Sequence, residues 1–215
     1  MPTLEFIALA QQCARQVSPV TMAAIVRTES GFNPYAIGVV RGRLAHQPAS
    51  MEEAVTTAHA LAAGGWNFSV GLAQVNRANW PAYGLNEQSA FEPCRNLAAG
   101  AAILLGCFES ARRAQMDTRA DSQSALRGSL SCYASGNFSM GYRTGYVQRV
   151  VNSARSAAQS SVVVPAIAPI PVIPVDSEVS ARLVRSQLPS HPASEPAGIV
   201  PGSPDRDSDR SAVVF

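Results

Sequence analysis

A glutamate, Glu29, continues the apolar stripe of a predicted helix, where a carboxyl group is rarely found. Ser18 and the proline that follows it predict the start of this helix, because serine caps helix N-termini and proline is tolerated in the first turn. Met22, Ile25 and Val26 recur at helical spacing, and Glu29 is the next position on the same face. Burial there would raise the pKa of the carboxyl from about 4.3 toward about 6, which would suit a general acid.

Two interpretations of this carboxyl stay open on the residues alone. An ion pair with an arginine such as Arg27 or Arg41 would make it structural. Glycosidases normally use two carboxylates, yet no aspartate occurs before Asp117. Other glutamates fall at a helix start or in polar segments: Glu52, Glu53, Glu87, Glu92 and Glu109. A single acid suffices if the N-acetyl group and a hydroxyl of the sugar substrate replace the second carboxylate, with the glutamate acting as acid and then as base.

The elements that would position this residue are mostly helical. Apolar periodicity and capping residues predict helices over about 3–16, 18–30, 51–63, 96–108, 122–135 and 141–158. Residues 36–47 alternate weakly around glycines and predict a small β-hairpin. The expected fold class is therefore α+β, mainly α.

Composition divides the chain near residue 158. Thirteen of the fourteen aromatic residues and all four cysteines precede this point, whereas 159–215 contains nine of the fifteen prolines. A segment without aromatic anchors buries too little surface to offset the entropy of ordering its backbone. We therefore expect a folded domain over 1–158 and a disordered, Pro-rich tail over 159–215. The proline spacing favours polyproline-like segments that act as spacers or docking strands.

Charge and hydropathy argue against several classes of protein. All seventeen basic residues are arginines, and no run of basic residues appears, so nucleic-acid binding has little support. No apolar stretch reaches the roughly 18 residues that a membrane span needs. The N-terminus lacks the positive region of an export signal, and a first folded helix is the better interpretation of it.

Four cysteines, Cys13, Cys94, Cys107 and Cys132, allow two disulfides in three connectivities. Their spacing fits no zinc motif, and we predict neither a metal nor a cofactor. A bridge between Cys94 and Cys107 is the least favoured, because on one helix they would lie about 18 Å apart. Four reduced thiols are an equally good interpretation.

Four segments, in order along the chain, carry a resemblance to a known family. They are residues 28–34 (Thr-Glu-Ser-Gly-Phe-Asn-Pro), 71–76 (Gly-Leu-Ala-Gln-Val-Asn), 130–136 (Leu-Ser-Cys-Tyr-Ala-Ser-Gly) and 145–147 (Gly-Tyr-Val). These resemble the Glu-Ser, Gly-Leu-Met-Gln-Ile, Tyr-Asn-Ala-Gly and Tyr-Val motifs of the soluble lytic transglycosylase superfamily, which is related to goose-type lysozyme. The resemblance covers about residues 4–155.

This resemblance implies a lysozyme-like α+β fold that holds glycan in a groove between the helices and the hairpin. By position, Glu29 matches the sole catalytic acid/base, and Tyr146 matches the tyrosine that helps to orient it. Ser69 and Gln74 match residues near the scissile bond, and Tyr133 matches the groove tyrosine. The candidate substrate-binding residues are Ser69, Gln74, Asn76, Tyr133, Asn137 and Tyr146.

Two positions depart from the family pattern. Ala134 replaces the asparagine of the Tyr-Asn-Ala-Gly turn, so the hydrogen bond of that asparagine is missing or comes from Asn137. Ala73 replaces the methionine beside Gln74, which could widen the glycan subsite. Without the motif context, Tyr133 and Tyr146 would be interpreted as core aromatics, and Gln74 as a partner for backbone groups in a bend.

Residues 33–39 and 65–71 look most like one branch, the lytic transglycosylase component of type IV secretion and plasmid-conjugation systems. This likeness implies periplasmic cleavage of peptidoglycan glycan strands to 1,6-anhydromuropeptides, which opens the wall for the apparatus. It also favours a Cys13–Cys94 disulfide and leaves Cys107–Cys132 as the second pair. Docking of the tail to secretion components is a further hypothesis.

Alternatives remain for the activity and for single residues. A hydrolytic goose-type lysozyme would use the same glutamate, and a wall-binding assembly factor would need no catalysis. Trp66, Phe68 and Trp80 could stack on sugar rings, although core packing is at least as good an interpretation for each of them.

Overall fold

Helices form most of the structure, and one small sheet packs beside them. The computed structural model describes residues 3–115 and 121–160. Within these residues there are seven α-helices: α1 (Thr3–Cys13), α2 (Pro19–Ser30), α3 (Met51–Ala63), α4 (Pro93–Gln115), α5 (Ser122–Ser135), α6 (Met140–Arg143) and α7 (Tyr146–Ser160). They confirm the expected α+β, mainly helical class. Residues 161–215, which hold almost all of the predicted tail, lie outside the described part, so the tail and the boundary near residue 158 stay predictions.

The capping residues act largely as their sequence predicts. The Ser50 side chain accepts a hydrogen bond from Glu53 N at 3.2 Å and so starts α3. Pro19 opens α2, while the Ser18 side chain makes no capping bond. Gly31 ends α2 in the left-handed region at φ 58°, where a residue without a Cβ is favoured.

Helix α4 is longer than its predicted range of about 96–108, since it runs from Pro93 to Gln115. Two other helix predictions need correction. The first helix ends at Cys13 rather than near residue 16, because the chain turns where Val17 N donates to Ala14 O. The predicted helix over 141–158 is two helices, α6 and α7. Gly145 separates them in the left-handed region at φ 72°, a conformation that an α-helix does not contain.

The predicted hairpin over 36–47 is wrong, because its first strand pairs with a distant segment. Strand β1 (Ile37–Val39) lies antiparallel to β2 (Phe68–Val70), which pairs in turn with β3 (Val75–Asn76). The Gln47 side chain takes the place of a strand partner for β1. Its Oε1 accepts from Ile37 N at 2.8 Å, and its Nε2 donates to Ile37 O at 3.0 Å.

Buried apolar residues form three core groups, and α4 contributes to each of them. One group lies under the sheet: Phe68, Val70, Val75, Trp80 and Phe91. A second joins α1, α2 and α4: Phe6, Met22, Val26, Leu72 and Leu97. A third joins α2, α4, α5 and α7: Ile25, Leu104, Leu130, Val147 and Val150. Phe68 and Trp80 are therefore core residues, as the packing interpretation expected.

Two disulfides fasten α4 to its neighbours. Cys13 of α1 pairs with Cys94, and Cys107 pairs with Cys132 of α5, with Cα–Cα distances of 5.2 and 5.8 Å. These are the pairs that the family resemblance favoured, and the interpretation as reduced thiols is wrong.

Candidate active site

A groove of about 290 Å³ opens between the sheet and the helices. Residues from α2, all three strands, α4, α5 and a short 3₁₀ turn line it: Glu29, Gly38, Val39, Val40, Ser69, Gln74, Val75, Asn76, Asn79, Ile103, Tyr133 and Ala134. Glu29 and four of the predicted substrate-binding residues thus come together, although they lie far apart in the sequence. Polar side chains converging in a cleft are typical of a ligand site.

Glu29 lies in the last turn of α2, with its carboxyl largely removed from water. The stripe that buries Met22, Ile25 and Val26 turns Glu29 toward the domain interior, as the spacing predicted. Tyr146 Oη donates a 2.5 Å hydrogen bond to Glu29 Oε1. No other described residue donates to the carboxyl, so Oε2 is left for a ligand in the groove.

Burial raises the pKa of Glu29 from an ordinary 4.5 to about 7. The hydrogen bond from Tyr146 and the positive charge of Arg149 both lower this pKa, but by less than burial raises it. The proposed ion pair with Arg27 or Arg41 is not observed, since the Arg27 guanidinium lies 5.5 Å from the centre of the Phe32 ring. The carboxyl is therefore partly protonated at neutral pH.

Tyr146 is held between the core and the charge of Arg149. It begins α7 immediately after the left-handed Gly145, and its ring is buried. Arg149 lies one turn later, with its guanidinium 5.8 Å from the Tyr146 ring centre and its Nη1 donating to Thr144 O at 3.0 Å. Burial and the nearby carboxyl of Glu29 raise the pKa of Tyr146, so its hydroxyl remains a proton donor.

The turn between β2 and β3 is fixed by a buried asparagine on α4. Asn96 Nδ2 donates to Val70 O at 2.9 Å and to Ala90 O at 2.8 Å, while its Oδ1 accepts from Ala73 N at 2.7 Å. From the other side, Ser30 Oγ donates to Leu72 O at 2.8 Å. The turn is thereby tied to both α4 and the end of α2 that carries the glutamate.

Gln74 occupies this turn in the left-handed region, at φ 48°. Its Nε2 donates to Ala36 O and to Gly71 O, each at 3.0 Å, so the amide joins the turn to the start of β1. Its Oε1 lies against Gly38, where an added Cβ would be only 2.7 Å away. Gln74 thus meets backbone groups in the bend, as its structural interpretation expected, while also lining the groove.

Ser69 and Asn76 form a polar row across the paired strands. Asn76 Nδ2 donates to Ser69 Oγ at 3.2 Å and to Asn67 Oδ1 at 2.7 Å. Asn76 Oδ1 accepts from Ala78 N and starts the short turn that brings Asn79 to the groove.

Tyr133 closes the groove from α5. Its hydroxyl donates to Ala73 O at 2.5 Å, and burial raises its pKa well above 10, which keeps it a phenol. Gly100 of α4 makes this approach possible, because a Cβ there would lie 3.1 Å from the Tyr133 hydroxyl and 2.6 Å from Ala73 Cβ.

Asn137 is the predicted site residue that the structure does not bring to the groove. It is exposed, and its Oδ1 accepts from Ser139 N, Ser139 Oγ and Met140 N at the start of α6. Ala134 does line the groove. Asn137 therefore stabilises the turn after α5 and does not stand in for an asparagine at Ala134.

Comparison with known proteins places this site in a family. The family described as "Transglycosylase SLT domain" matches residues 6–149. The chain belongs to this family. Glu29 and all of the groove residues fall within the matched SLT domain.

Individual relatives point to one branch of it. The chain is 54% identical over 171 residues to the "Type IV secretion system protein virB1" of Brucella abortus, covering 77% of this chain and 71% of the relative. It is 36% identical over 152 residues to "Protein virB1" of Agrobacterium fabrum, covering 70% and 60% of the two chains. No solved structure matches the chain significantly.

Sequence reasoning missed three residues that hold this SLT site together. Asn96 and Arg149 gave only weak signals, as a polar residue at a helix start and one charge among thirteen arginines of the first 158 residues. Ser30 belongs to the Glu-Ser segment, but its residue type and position predicted no role for it. Its bond to Leu72 O spans 42 positions, which no local pattern encodes.

Nothing else in the described part of the SLT chain suggests another kind of centre. Within those residues, no three His, Cys, Asp or Glu side chains gather in a way that could hold a metal ion. No helix found there has the length and apolar character to cross a membrane.

Proposed function

We propose that this SLT-family chain is a lytic transglycosylase that cleaves the β-1,4 bond between N-acetylmuramic acid and N-acetylglucosamine in peptidoglycan. The observation that carries the proposal is one carboxyl, Glu29, buried enough at the groove to have a pKa of about 7. A group with that pKa can donate a proton near neutral pH and take one back in a later step.

The reaction that fits a single carboxyl needs no external nucleophile. Protonated Glu29 gives its proton to the glycosidic oxygen as the bond from that oxygen to C1 of the muramic acid breaks. The carbonyl oxygen of the N-acetyl group stabilises the positive charge at C1. The C6 hydroxyl then bonds to C1 and returns its proton to Glu29, which yields a 1,6-anhydro ring and regenerates the acid.

The absence of a second groove carboxyl supports this route over a two-carboxylate mechanism. Among the described residues, Glu29 is the sole carboxylate that lines the groove. Three other glutamates contact side chains outside the groove: Glu53 lies near His46, Glu87 near His59 and Glu92 near Arg95. Retaining and inverting glycosidases hold two carboxyls about 5–10 Å apart.

The surrounding polar groups have distinct proposed roles. Tyr146 and Arg149 orient Glu29 and limit the rise of its pKa. Ser69, Asn76 and Tyr133 present polar atoms along the groove for the glycan, and Gln74 shapes the bend beside the scissile bond. Asn137 stabilises the turn after α5 and has no direct role in binding.

The relatives support a proposal for the cellular setting. The named Brucella relative is a type IV secretion system protein, and we propose that this chain opens peptidoglycan for such an apparatus. The two disulfides fit an oxidising compartment such as the periplasm, where the glycan lies.

Product analysis tests the proposed activity. Wild-type protein incubated with purified sacculi should release muropeptides with anhydro ends, which are lighter by one water than the reducing ends left by hydrolysis. Glu29→Gln replaces the carboxyl with an amide of similar size that cannot act as an acid or a base near neutral pH, and we expect cleavage to fall at least about a thousandfold. Mass spectrometry of the digests measures both results.

A matched control separates the acid from general effects of charge. Glu87→Gln removes one exposed carboxylate that pairs with His59, and it should cleave like wild type. Reducing ends in place of anhydro ends would establish a hydrolytic lysozyme instead. If neither product forms, or if Glu29→Gln cleaves at the wild-type rate, the proposed mechanism is rejected.

A further inference from the structure

Trp66 is a large aromatic residue left half exposed beside the groove. Its side chain and backbone together are 49% accessible, whereas the other tryptophan, Trp80, is 5% accessible. Trp80 also satisfies its indole N–H by donating to Val75 O at 3.3 Å. No described residue accepts from the indole N–H of Trp66. One tryptophan thus belongs to the core, and the other leaves about half of its surface uncovered and its indole N–H without an acceptor among the described residues.

The Trp66 ring lies close to two glycines. A Cβ at Gly64 would lie 3.1 Å from Trp66 Cδ1 and 3.3 Å from its Nε1, and one at Gly42 would lie 3.4 Å from its Cζ3. These atoms belong to opposite ends of the indole, so the ring spans both glycines. The ring therefore lies over two glycines whose missing side chains leave room for it, and about half of the residue stays uncovered.

The position of Trp66 continues the line of the groove. A Cβ added at Gly42 would also lie 3.2 Å from Val39 Cγ1. Val39 and Val40 line the groove. Val40 N donates to the carbonyl of Asn67, the residue after Trp66, at 2.9 Å. Trp66 therefore adjoins the rim formed by the outer end of β1.

The glutamate lies toward the other end of the sheet. Ser30, next to Glu29, bonds to Leu72 O, six positions after Trp66 along a segment that contains β2 and the start of the turn after it. A segment of this length with its strand extended spans on the order of 15 Å. This exceeds the length of one sugar unit, so a sugar on Trp66 would not be one of the two that flank the cleaved bond.

We propose that Trp66 is the stacking platform of a distal glycan subsite, which binds a sugar ring remote from the cleaved bond. The inference deepens the proposed function and rests on it, because it takes the ligand to be a glycan strand. The apolar face of a pyranose packs on the indole ring, and a sugar hydroxyl accepts from the indole N–H. Trp66 thus selects long strands over short fragments.

The test measures binding of strands of defined length without cleavage. Full-length chain carrying Glu29→Gln is titrated with peptide-free disaccharide and octasaccharide of alternating N-acetylglucosamine and N-acetylmuramic acid. We expect Trp66→Ala to weaken octasaccharide binding about fivefold to tenfold and to leave disaccharide binding unchanged. Trp66→Phe keeps a ring and should retain most of the affinity. Tyr142→Ala removes an equally exposed aromatic that does not line the groove and serves as the control.

Tryptophan emission gives a second readout that does not depend on the alanine variant folding. Octasaccharide should shift the emission of the Trp66-containing protein toward shorter wavelengths, and Trp66→Phe should abolish that shift. Full octasaccharide affinity in a folded Trp66→Ala variant overturns the proposal. An equal loss for both ligands, or no emission shift at saturating octasaccharide, also overturns it. A wild-type protein that binds strands but never cleaves them would refute the proposed activity and leave the subsite standing.

Discussion

At the scale of single residues, the site balances opposing effects on one carboxyl. Burial favours the protonated form of Glu29, while the hydrogen bond from Tyr146 and the charge of Arg149 favour the ionised form. The result, a pKa of about 7, makes both forms available at neutral pH. A carboxyl that must give and then regain a proton needs this balance, since a stronger or a weaker acid would slow one of the two steps.

Tyr146→Phe tests this balance through the pH dependence of cleavage. The phenyl ring preserves the packing but removes the donor that stabilises the carboxylate, so the pKa of Glu29 should rise. Because Glu29 must be protonated to act as acid, activity falls as pH rises through its pKa. The alkaline limb of kcat/KM should therefore move up by about one pH unit, and kcat should fall about tenfold as orientation is lost. Tyr142→Phe, on an exposed tyrosine, should leave the profile unchanged. An alkaline limb that stays in place or moves to lower pH in Tyr146→Phe would contradict this role.

Residue types and spacing predicted part of this arrangement. The stripe of Met22, Ile25 and Val26 predicted the side of α2 on which Glu29 lies, and the structure has Glu29 half-buried at the groove. The contact between Glu29 and Tyr146 joins residues 117 positions apart, and only the family resemblance suggested it. Asn137 was predicted to bind substrate because it follows a family motif, but its side chain accepts hydrogen bonds at the start of α6. An asparagine close to a motif can equally cap the next helix.

At the scale of elements, α4 is the support on which the site is built. Asn96 fixes the turn after β2, and Gly100, one turn later on the same face, admits Ala73 and Tyr133. The groove wall thus depends on the buried side chain of Asn96 and on the lack of a Cβ at Gly100. Both features need close approach of α4 to the sheet, which the core residues around them maintain.

Asn96→Ala should show how much the turn depends on α4. The change leaves the carbonyls of Val70 and Ala90 and the amide of Ala73 without their partner in a buried setting. We expect a loss of about 2–4 kcal/mol in the free energy of unfolding, measured by denaturant titration. Asn152→Ala, in the exposed face of α7, should change it by less than about 0.5 kcal/mol. Equal stability of the two variants would show that the turn holds without Asn96.

The helices were largely readable from sequence, whereas the sheet was not. Helical periodicity and caps are local, so α2, α3 and α5 lie close to their predicted ranges. The weak alternation over residues 36–47 indicated extended structure, which within that range only Ile37–Val39 adopts as a strand, and the partner of this strand lies about thirty residues later in the chain. Local alternation does not name a partner, and a hairpin was the nearest candidate. The Gln47 side chain bonds to the backbone of β1 as a neighbouring strand would, and no sequence pattern predicted this contact.

At the scale of the whole molecule, two disulfides cross-link the SLT domain, and the sequence continues into a Pro-rich segment. The disulfides close loops of 81 and 25 residues. By the chain-entropy account, each destabilises the unfolded chain by about 3–5 kcal/mol. A domain built in this way suits an oxidising compartment, and its folding should depend on entry into one.

Truncation tests whether the extension serves the secretion apparatus. Removing residues 161–215 leaves α7 intact, so we expect cleavage of sacculi to equal that of the full chain. Substrate transfer by a type IV secretion system that depends on the protein should fall, because the predicted docking segment is lost. A chain with residues 161–215 scrambled controls for length and composition. Full transfer by the truncated chain would reject a role of the tail in assembly.

The account depends most on the protonation state of one carboxyl, and this can be measured directly. Full-length protein labelled with ¹³C at the glutamate side-chain carboxyl is titrated by NMR between pH 3 and 9, and the signal that disappears in Glu29→Gln identifies Glu29. We predict a titration midpoint near 7. A midpoint near the ordinary 4.5 would mean that the carboxyl is ionised at neutral pH, which contradicts its role as the acid.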